Sequence, residues 1–488
     1  MKSVKSNALL NSFKTICSTI FPLITVPYAA RVLKAYNYGK VGTSNSIISY
    51  FLLIAALGIV TYAQREGPAI RDSRIQFTEF ASEVFTINIY ATLFSYICLF
   101  LLVYLSKKLG DYKPLLFIQS IQIILTTIGA DWVNTVYEDY FYVTVRYIIV
   151  QCLSLIFLFV FVKTPSDYLI YALIMSLATT GGNLFNVFYI RRYCKLKLVP
   201  LNKCVKHLKP VMKLFAVNLT MTVYVSSDIT ILGLLVGNKD AGIYQLCAKI
   251  YTMIKQLLVA VFSVAMPRLS YYLGYESNEK YIKLLKNIFT SIITLIFPVM
   301  IGLFILSPNL LMILGGREFV VGSISLKILS IATFASLFSY FFANCILVLF
   351  RKDNIFLLAT MISAAVNVIL NFLFIPAFSY DGAAITTLIA EIIMLVIAAY
   401  HSMNIKLIRE NLKYILGDSK VFISPLLGCI YIIFICVLLD KIIVNPLINV
   451  LASFCISAFG FIIIEIILKN QFVINTVGSF LTKIKSHK

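Results

Sequence analysis

Charged residues are scarce in this chain. Asp, Glu, Lys and Arg make up 13% of its 488 residues, about half the ~25% that a soluble domain carries. Hydrophobic residues make up 60%, in runs of about 20 residues, the length that crosses ~30 Å of hydrocarbon as a helix. An ordinary soluble domain is therefore excluded. The alternating segments of ~10 residues that a membrane β-barrel needs are also missing.

Metal-binding and nucleotide-binding patterns are missing as well. The ten cysteines form no C-x-x-C pair, and the three histidines are far apart. Neither a disulfide framework nor a metal site is therefore indicated. No G-x-x-x-x-G-K-[ST] phosphate-binding loop is present, and no segment between apolar runs has room for a soluble catalytic domain. A self-contained ATP-driven pump is excluded, and an enzyme is not expected.

The apolar runs predict an all-α polytopic membrane protein with 14 transmembrane helices. The first run is too long for the apolar part of a cleavable signal peptide, so we interpret it as a span. The predicted spans are 8–30, 42–64, 84–106, 114–133, 143–162, 168–190, 213–236, 241–264, 285–306, 324–349, 355–375, 382–403, 420–439 and 445–468.

Basic residues indicate how these spans are oriented. An even number of spans places both termini on one side, and most Lys and Arg outside the spans fall on that side. Cytoplasmic loops carry the excess of positive charge, so we expect both termini in the cytoplasm of a bacterium, with the spans in its cytoplasmic membrane. This bias accounts for most of the net charge of +21, and nucleic acid is not an expected partner.

A weak internal repeat divides the chain. The stretch 36–47, around Gly39, resembles the stretch 238–250, around Gly242. Two units of six spans insert in the same orientation and suit a transporter with a central site that opens to each side in turn. The predicted regions are an N-terminal six-helix bundle (1–192), a basic amphipathic cytoplasmic linker (193–212), a C-terminal six-helix bundle (213–405), and helices 13 and 14 with a basic tail (406–488).

The linker region is the richest in basic residues. Val205 and Leu208 alternate there with lysines at helical spacing. This pattern suits a short amphipathic helix on anionic lipid headgroups, and equally a solvated basic loop.

Polar residues form stripes on the predicted spans. Span 1 carries Asn7, Asn11, Lys14, Ser18 and Thr25 on one face. Span 8 repeats the spacing with Gln245, Lys249, Thr252, Gln256 and Ser263, and Lys255 lies beside them. For Ser and Thr we favour hydrogen bonds to neighbouring helices. For Lys14 and Lys249 we favour a hydrated cavity, because an ammonium group in mid-span needs water or an anion.

Cationic groups in a cavity select anions, and Lys binds phosphate as a point charge. We therefore predict that Lys14, Lys249 and Lys255 contact an anionic, phosphorylated substrate. The expected contacts to sugar hydroxyls are Asn7, Asn11, Tyr224, Gln245 and Gln256. Acids are few in the spans. For Asp228 and Glu391 two interpretations stay open: a protonatable site that couples transport to an ion gradient, or a static ion pair between helices.

Several stretches together resemble one family. They include "PYAARVLKAYNYGKVGTSNSI" (27–47), "GADWVNTVYEDYFYVTVRYIIV" (129–150) and "VYVSSDITILGLLVGNKDAGIYQLCAKI" (223–250). In order and spacing they are similar to the Wzx-type polysaccharide (O-antigen or capsule repeat unit) flippases. Those proteins belong to the multidrug/oligosaccharidyl-lipid/polysaccharide exporter superfamily. Lys34, where the family often has Gly, and Gln245, where Glu or Ala is common, depart from its pattern.

The resemblance implies two pseudo-symmetric six-helix bundles around a central cationic cavity, with two further helices appended. It also implies export of undecaprenyl-pyrophosphate-linked oligosaccharides to the outer leaflet by alternating access. By position, Arg31, Arg146 and Asp228 become pocket or gate residues. We expect function as a monomer and no cofactor beyond a coupling ion (H⁺ or Na⁺) or the membrane potential. Expected partners are membrane lipids, a polysaccharide polymerase and a chain-length regulator.

Three alternatives stay open at this point. A lipid II flippase shares the expected fold but carries a different headgroup. A drug/cation antiporter of the same superfamily would line its pocket with acids and aromatic rings, so the basic stripes have the wrong sign for it. A membrane-embedded polysaccharide polymerase or glycosyltransferase would need a sizeable extramembrane loop, which this chain lacks.

Overall fold

The computed structural model describes residues 4–417, 419–470, 472–475 and 478, and these ranges contain helices and no strand. The chain divides into two compact units, Met1–Gly242 (unit 1) and Ile243–Lys488 (unit 2). The α-helices of unit 1 are α1 (Val4–Ala56), α2 (Ile59–Glu66), α3 (Arg74–Leu105), α4 (Lys113–Gly129), α5 (Trp132–Val136), α6 (Tyr140–Phe161), α7 (Tyr168–Thr180), α8 (Gly182–Tyr189) and α9 (Leu201–Leu235).

Helix α10 (Asn238–Ser263) begins in unit 1 and continues into unit 2. The remaining α-helices of unit 2 are α11 (Met266–Tyr271), α12 (Asn278–Leu314), α13 (Ser323–Phe342), α14 (Asp353–Met403), α15 (Lys406–Glu410), α16 (Leu412–Leu416), α17 (Ser419–Ile442) and α18 (Pro446–Ile467).

Local sequence sets where several helices begin. The side chains of Ser73, Asp139, Ser277 and Asn445 each accept a backbone N–H in the first turn of α3, α6, α12 and α18. Such side chains satisfy donors that a helix start leaves without a partner. The observed beginnings of these four helices therefore have a direct chemical cause.

Eleven stretches of the described residues are long and apolar enough to cross a membrane. Predicted spans 1 and 2 share one stretch because α1 consists of two helices that meet at a kink at Lys34, where the backbone is not helical. Spans 11 and 12 likewise share α14, which kinks at Ser379. Span 4 lies largely on α4, a 17-residue helix that is not among the eleven. Each predicted span therefore lies on helix, whereas the count of 14 stays a prediction.

The kink in α1 lies at Lys34, the position where the family pattern often has Gly. Lys34 has a φ of 63°, a backbone conformation that glycine adopts far more readily than other residues. A glycine is thus the residue expected at this kink, and this chain tolerates a lysine there instead.

The repeat-related glycines lie against each other. A Cβ at Gly39 would collide with the carbonyl oxygen of Asn238 and the backbone of Gly242, and a Cβ at Gly242 would collide with the carbonyl oxygen of Ala35. Small residues allow helices in a membrane to approach this closely. The second half of α1 and the start of α10 therefore pack backbone against backbone.

The predicted linker is helical from Leu201 and continues without a break into predicted span 7 as part of α9. Helix α9 lies within unit 1, whereas the sequence-based scheme begins the second bundle at residue 213. The two divisions use different boundaries, and the six-helix bundles stay a prediction.

Candidate functional site

Arg146 is the most buried of the predicted cationic residues. Its Nη2 donates to Asp131 Oδ1 at 2.5 Å, and its guanidinium lies 5.3 Å from the ring centre of Tyr142. The side chain is 9% exposed. Among the described residues, Nη1 has no hydrogen-bond partner although it is buried. A guanidinium carries five N–H donors, so Arg146 retains a donor for another oxygen.

A glycine makes room for this guanidinium. A Cβ at Gly182, the first residue of α8, would lie 3.0 Å from Arg146 Nε. Any side chain at this position would press on the guanidinium. The packing of α6 against α8 and the Asp131 carboxylate together position Arg146.

The acids that follow Asp131 in the family-like stretch also have partners in unit 1. Glu138 Oε1 accepts from Arg71 Nη1 at 2.8 Å. Asp139 Oδ2 accepts from the hydroxyls of Tyr189 and Tyr193 at 2.6 and 2.7 Å. Burial opposes ionisation of Asp139, but these hydrogen bonds outweigh it and hold the pKa of the carboxyl below its ordinary value. The acids of this stretch therefore join helices to one another.

The stripe predicted on span 1 is partly described. Lys14 is half-buried, and its Nζ lies 5.8 Å from the ring centre of Tyr147 on α6. Arg31 is exposed, and Thr25 is buried. The side chains of Asn7 and Asn11 lie outside the described part of the chain. Lys14 thus lies near Tyr147, the residue that follows Arg146 on α6.

Helix α10 has two chemically different faces. Tyr244, Cys247 and Tyr251 are buried in unit 2, whereas Lys249 and Gln256 are exposed. Gln245 is half-buried, and its Oε1 has no hydrogen-bond partner in the described residues. The predicted polar stripe of span 8 is therefore only partly covered by its own unit.

Two lysines of α10, Lys249 and Lys255, differ in their partners. Lys255 Nζ donates to Glu391 Oε1 at 2.6 Å, and the Tyr251 hydroxyl donates to the same oxygen at 2.7 Å. Glu391 is buried. Lys249 takes part in no ion pair within the part of the chain that the structure describes. Lys255 and Glu391 thus form a pair in unit 2, and Lys249 lies outside that pair.

Residues on α9 connect to α1. Ser226 accepts from Ser49 at 2.9 Å, and the hydroxyls of Thr230 and Ser46 are 2.7 Å apart. These contacts match the expected role of Ser and Thr between helices. Asp228 is buried on the same helix, and Tyr224 is half-buried. The two interpretations of Asp228 stay open.

The partners of Arg146 and Glu391 were not predicted from the sequence. Asp131 as the partner of Arg146, and Tyr251 as a second ligand of Glu391, join residues on different helices. The four-residue spacing of Tyr251 and Lys255 was the one local signal, because it places both on one helix face. No group of His, Cys, Asp and Glu suited to a metal ion occurs among the described residues.

Comparisons with known proteins identify the family. Residues 4–273 match the polysaccharide biosynthesis protein family. The chain belongs to this family. The resemblance to Wzx-type polysaccharide flippases is thereby confirmed, and this family member is a multi-pass membrane protein of transporter type and not an enzyme.

Two curated relatives and one solved structure are similar to this polysaccharide biosynthesis protein. A protein described as an O-antigen transporter of Shigella dysenteriae is 23% identical over 399 residues, covering 80% of this chain and 98% of that protein. A low-salt glycan biosynthesis flippase of Haloferax volcanii is 24% identical over 174 residues, covering 36% and 37%. The inward closed conformation of the lipid II flippase MurJ superposes with a TM-score of 0.72 at 16% identity, covering 96% and 100%. This last likeness establishes the fold.

Proposed function

We propose that this chain is a flippase for lipid-linked oligosaccharides, and that its substrate is an undecaprenyl-pyrophosphate-linked repeat unit. The substrate would move from the cytoplasmic to the outer leaflet of a bacterial cytoplasmic membrane. Family membership supports this proposal, as does similarity along 98% of the length of a protein described as an O-antigen transporter. A pyrophosphate with several sugars cannot cross hydrocarbon unaided, because burying an unpaired charge costs many kcal/mol.

The observation that carries the proposal is Lys249, an exposed residue that forms no ion pair in the part of the chain that the structure describes. It lies about 16 Å from the start of α10 at ~1.5 Å per residue, in the middle of a helix apolar enough to cross a membrane. A charge at that depth is unfavourable against lipid tails, so it needs water or an anion. We assign that anion to the diphosphate of the substrate, and Gln256 on the same exposed face to its sugar hydroxyls.

Cationic groups of unit 1 would contribute separately. Arg146 retains a buried N–H donor, Lys14 is half-buried, and Arg31 is exposed. We propose that each of them meets the diphosphate or the sugars at some stage of transport. The diphosphate and sugars of the substrate would be exposed to one side of the membrane at a time, while its polyprenyl tail stays in lipid.

The energy source is part of the proposal. Asp228 is buried in unit 1, and Glu391 is buried in unit 2 beside Lys255. Either acid would couple transport to H⁺ by protonation or to Na⁺ by binding it as a carboxylate, and the membrane potential would act on the charged substrate directly. Function as a monomer, cytoplasmic termini, and cooperation with a polymerase and a chain-length regulator stay predictions.

The test is complementation of a bacterial strain that lacks its own O-antigen flippase. Expression of the full chain should restore surface glycan, measured by labelling of intact cells. Lys249→Gln should lower the restored glycan at least about tenfold, the order expected from losing one charge-assisted contact of ~1.5–3 kcal/mol. The matched control is Lys327→Gln, which removes a lysine that lies over the Phe304 ring on another helix of unit 2. Equal loss in both variants, or none in either, contradicts the assignment of Lys249.

Transport of lipid II is the second candidate. The likeness in fold to the lipid II flippase MurJ favours it. A strain depleted of its lipid II flippase separates the two candidates. Growth restored by this chain in that strain, without restored glycan in the other, would replace the first proposal by the second.

A further inference from the structure

An apolar groove lies in unit 1, away from Arg146. Helices α3 and α9 and the end of α1 enclose a volume of about 640 Å³. The groove is lined by Ile54, Ile87, Phe94, Val205, Leu208 and Met212, among others. Val205, Leu208, Met212 and Phe94 are exposed. The groove therefore opens at the surface of the unit as a gap between helices.

Basic residues lie next to two lining residues of the groove in the sequence. Lys209 and Lys213 directly follow Leu208 and Met212 on α9, and both are exposed. They belong to the stretch 191–213, which contains eight Lys and Arg and no acid. Lys206 already pairs with Glu83 at 2.9 Å. Lys209 and Lys213 form no ion pair in the described part of the chain, and their charge stays available.

We propose that this groove binds an anionic phospholipid, with an acyl chain in the apolar gap and the phosphate on Lys209 and Lys213. Hydrocarbon is the natural filling for exposed apolar walls at a membrane helix, and lysines attract anionic headgroups. The groove has the size of sites that enclose small ligands, ~300–1,000 Å³. That size suits one acyl chain better than a long polyprenyl tail, so this lipid is distinct from the proposed substrate.

Unit 1 contains a second groove that serves as an internal control. It encloses about 660 Å³ and is also apolar, with Leu101, Tyr104 and Phe117 in its lining. Lys113 is the one basic residue that lines it. The two grooves thus match in size and apolar character. They differ in charge, because Lys107, Lys108 and Lys113 beside the second groove stand with Asp111, whereas the stretch 191–213 contains no acid.

The experiment measures lipid retained by the purified full chain. The protein is equilibrated with phosphatidylglycerol and phosphatidylcholine that carry identical acyl chains, and bound lipid is counted by native mass spectrometry. We expect phosphatidylglycerol to be enriched. Lys209→Gln and Lys213→Gln should each lower that enrichment about fivefold, the order expected for one basic residue near an anionic lipid surface. Leu208→Trp should displace the bound lipid by filling the groove.

The controls are Lys113→Gln and Leu101→Trp in the second groove, which should leave the enrichment unchanged. Thermal unfolding in detergent checks that each variant is folded. Equal retention of both lipids, or equal losses from both grooves, overturns the proposal. Displacement of the phosphatidylglycerol by undecaprenyl phosphate at equal concentration also overturns it, because the groove would then serve a polyprenyl lipid.

Discussion

Ion pairs hold several charged side chains of unit 1, whereas the lysines near the middle of helix α10 are only partly paired. In unit 1, Arg146 pairs with Asp131, Arg71 with Glu138, and Glu83 with two basic side chains. On α10, Lys255 pairs with Glu391, whereas Lys249 forms no ion pair in the residues described. The contrast separates two uses of charge in one membrane protein. Paired charges join helices, and a charge left exposed in an apolar helix is available to a ligand.

This distinction has measurable consequences. Removing one member of a buried pair leaves its partner uncompensated and should cost stability. Removing an exposed charge should leave stability nearly unchanged and affect transport instead. Four substitutions, ordered from the largest expected effect on stability to the smallest, either break the distinction or sharpen it.

Lys255→Met should have the largest effect. The Glu391 side chain is 5% exposed, so loss of the ammonium leaves a buried carboxylate, at a cost of about 3–5 kcal/mol. Unfolding in detergent measures the loss. The double variant Lys255→Met/Glu391→Leu should recover most of it, because it removes both charges together. If the double variant is as unstable as the single one, the ion pair is not the cause.

Glu83→Gln should have an intermediate effect. Glu83 Oε2 lies 2.8 Å from His207 Nε2 and 2.9 Å from Lys206 Nζ, and the His207 side chain is buried. The amide keeps an acceptor but loses the charge, at a cost of about 1–2 kcal/mol. Lys206→Gln is the matched control and should cost less, because the Lys206 side chain is 64% exposed and solvated. If Lys206→Gln costs more stability than Glu83→Gln, the exposed contact between Lys206 and Glu83 is the more important one.

Asp139→Asn tests the hydrogen bonds that Asp139 accepts from Tyr189 and Tyr193. The measurement is the stability of the parent chain and of the variant at acidic pH. The pKa of Asp139 lies below the ordinary aspartate value of 3.8. Ionised Asp139 therefore adds stability above about pH 4, and that increment disappears as the pH falls through the lower pKa of the folded state. The unfolding temperature of the parent chain should fall over this acidic range, and Asp139→Asn should show a flatter profile. If the unfolding temperatures of the parent chain and of Asp139→Asn fall in parallel with pH, ionised Asp139 does not contribute this stability.

Lys249→Met should have the smallest effect on stability. Its side chain is exposed and forms no ion pair among the described residues, so we expect a change within about 0.5 kcal/mol. Glycan export should fall nonetheless, and Lys249→Arg should retain more of it because the positive charge remains. A loss of stability comparable to that of Lys255→Met would show that Lys249 stabilises the fold as the paired charges do. That result would contradict the distinction between paired charges and a charge available to a ligand.

Part of the site could be predicted from sequence. The spacing along span 8 assigned Lys249 and Gln256 to one face, and both are exposed while Tyr251 is buried. Helical periodicity is a property of one segment, so the amino-acid order of span 8 suffices for such an assignment. The partners of Lys255 and Arg146 could not be predicted. Glu391 lies on α14, and Asp131 lies beyond the end of α4, and no periodicity relates those positions.

Apolar helices of membrane-crossing length, and the residues that share a helix face, could be read from the amino-acid order. Both follow from hydrophobic length and the helical period, which act within one segment. The fold was needed to show which lysine is neutralised, and that spans 1 and 2, like spans 11 and 12, meet at one non-helical residue. Those outcomes depend on which helix faces meet and on backbone geometry at single residues, and neither is a property of one segment alone.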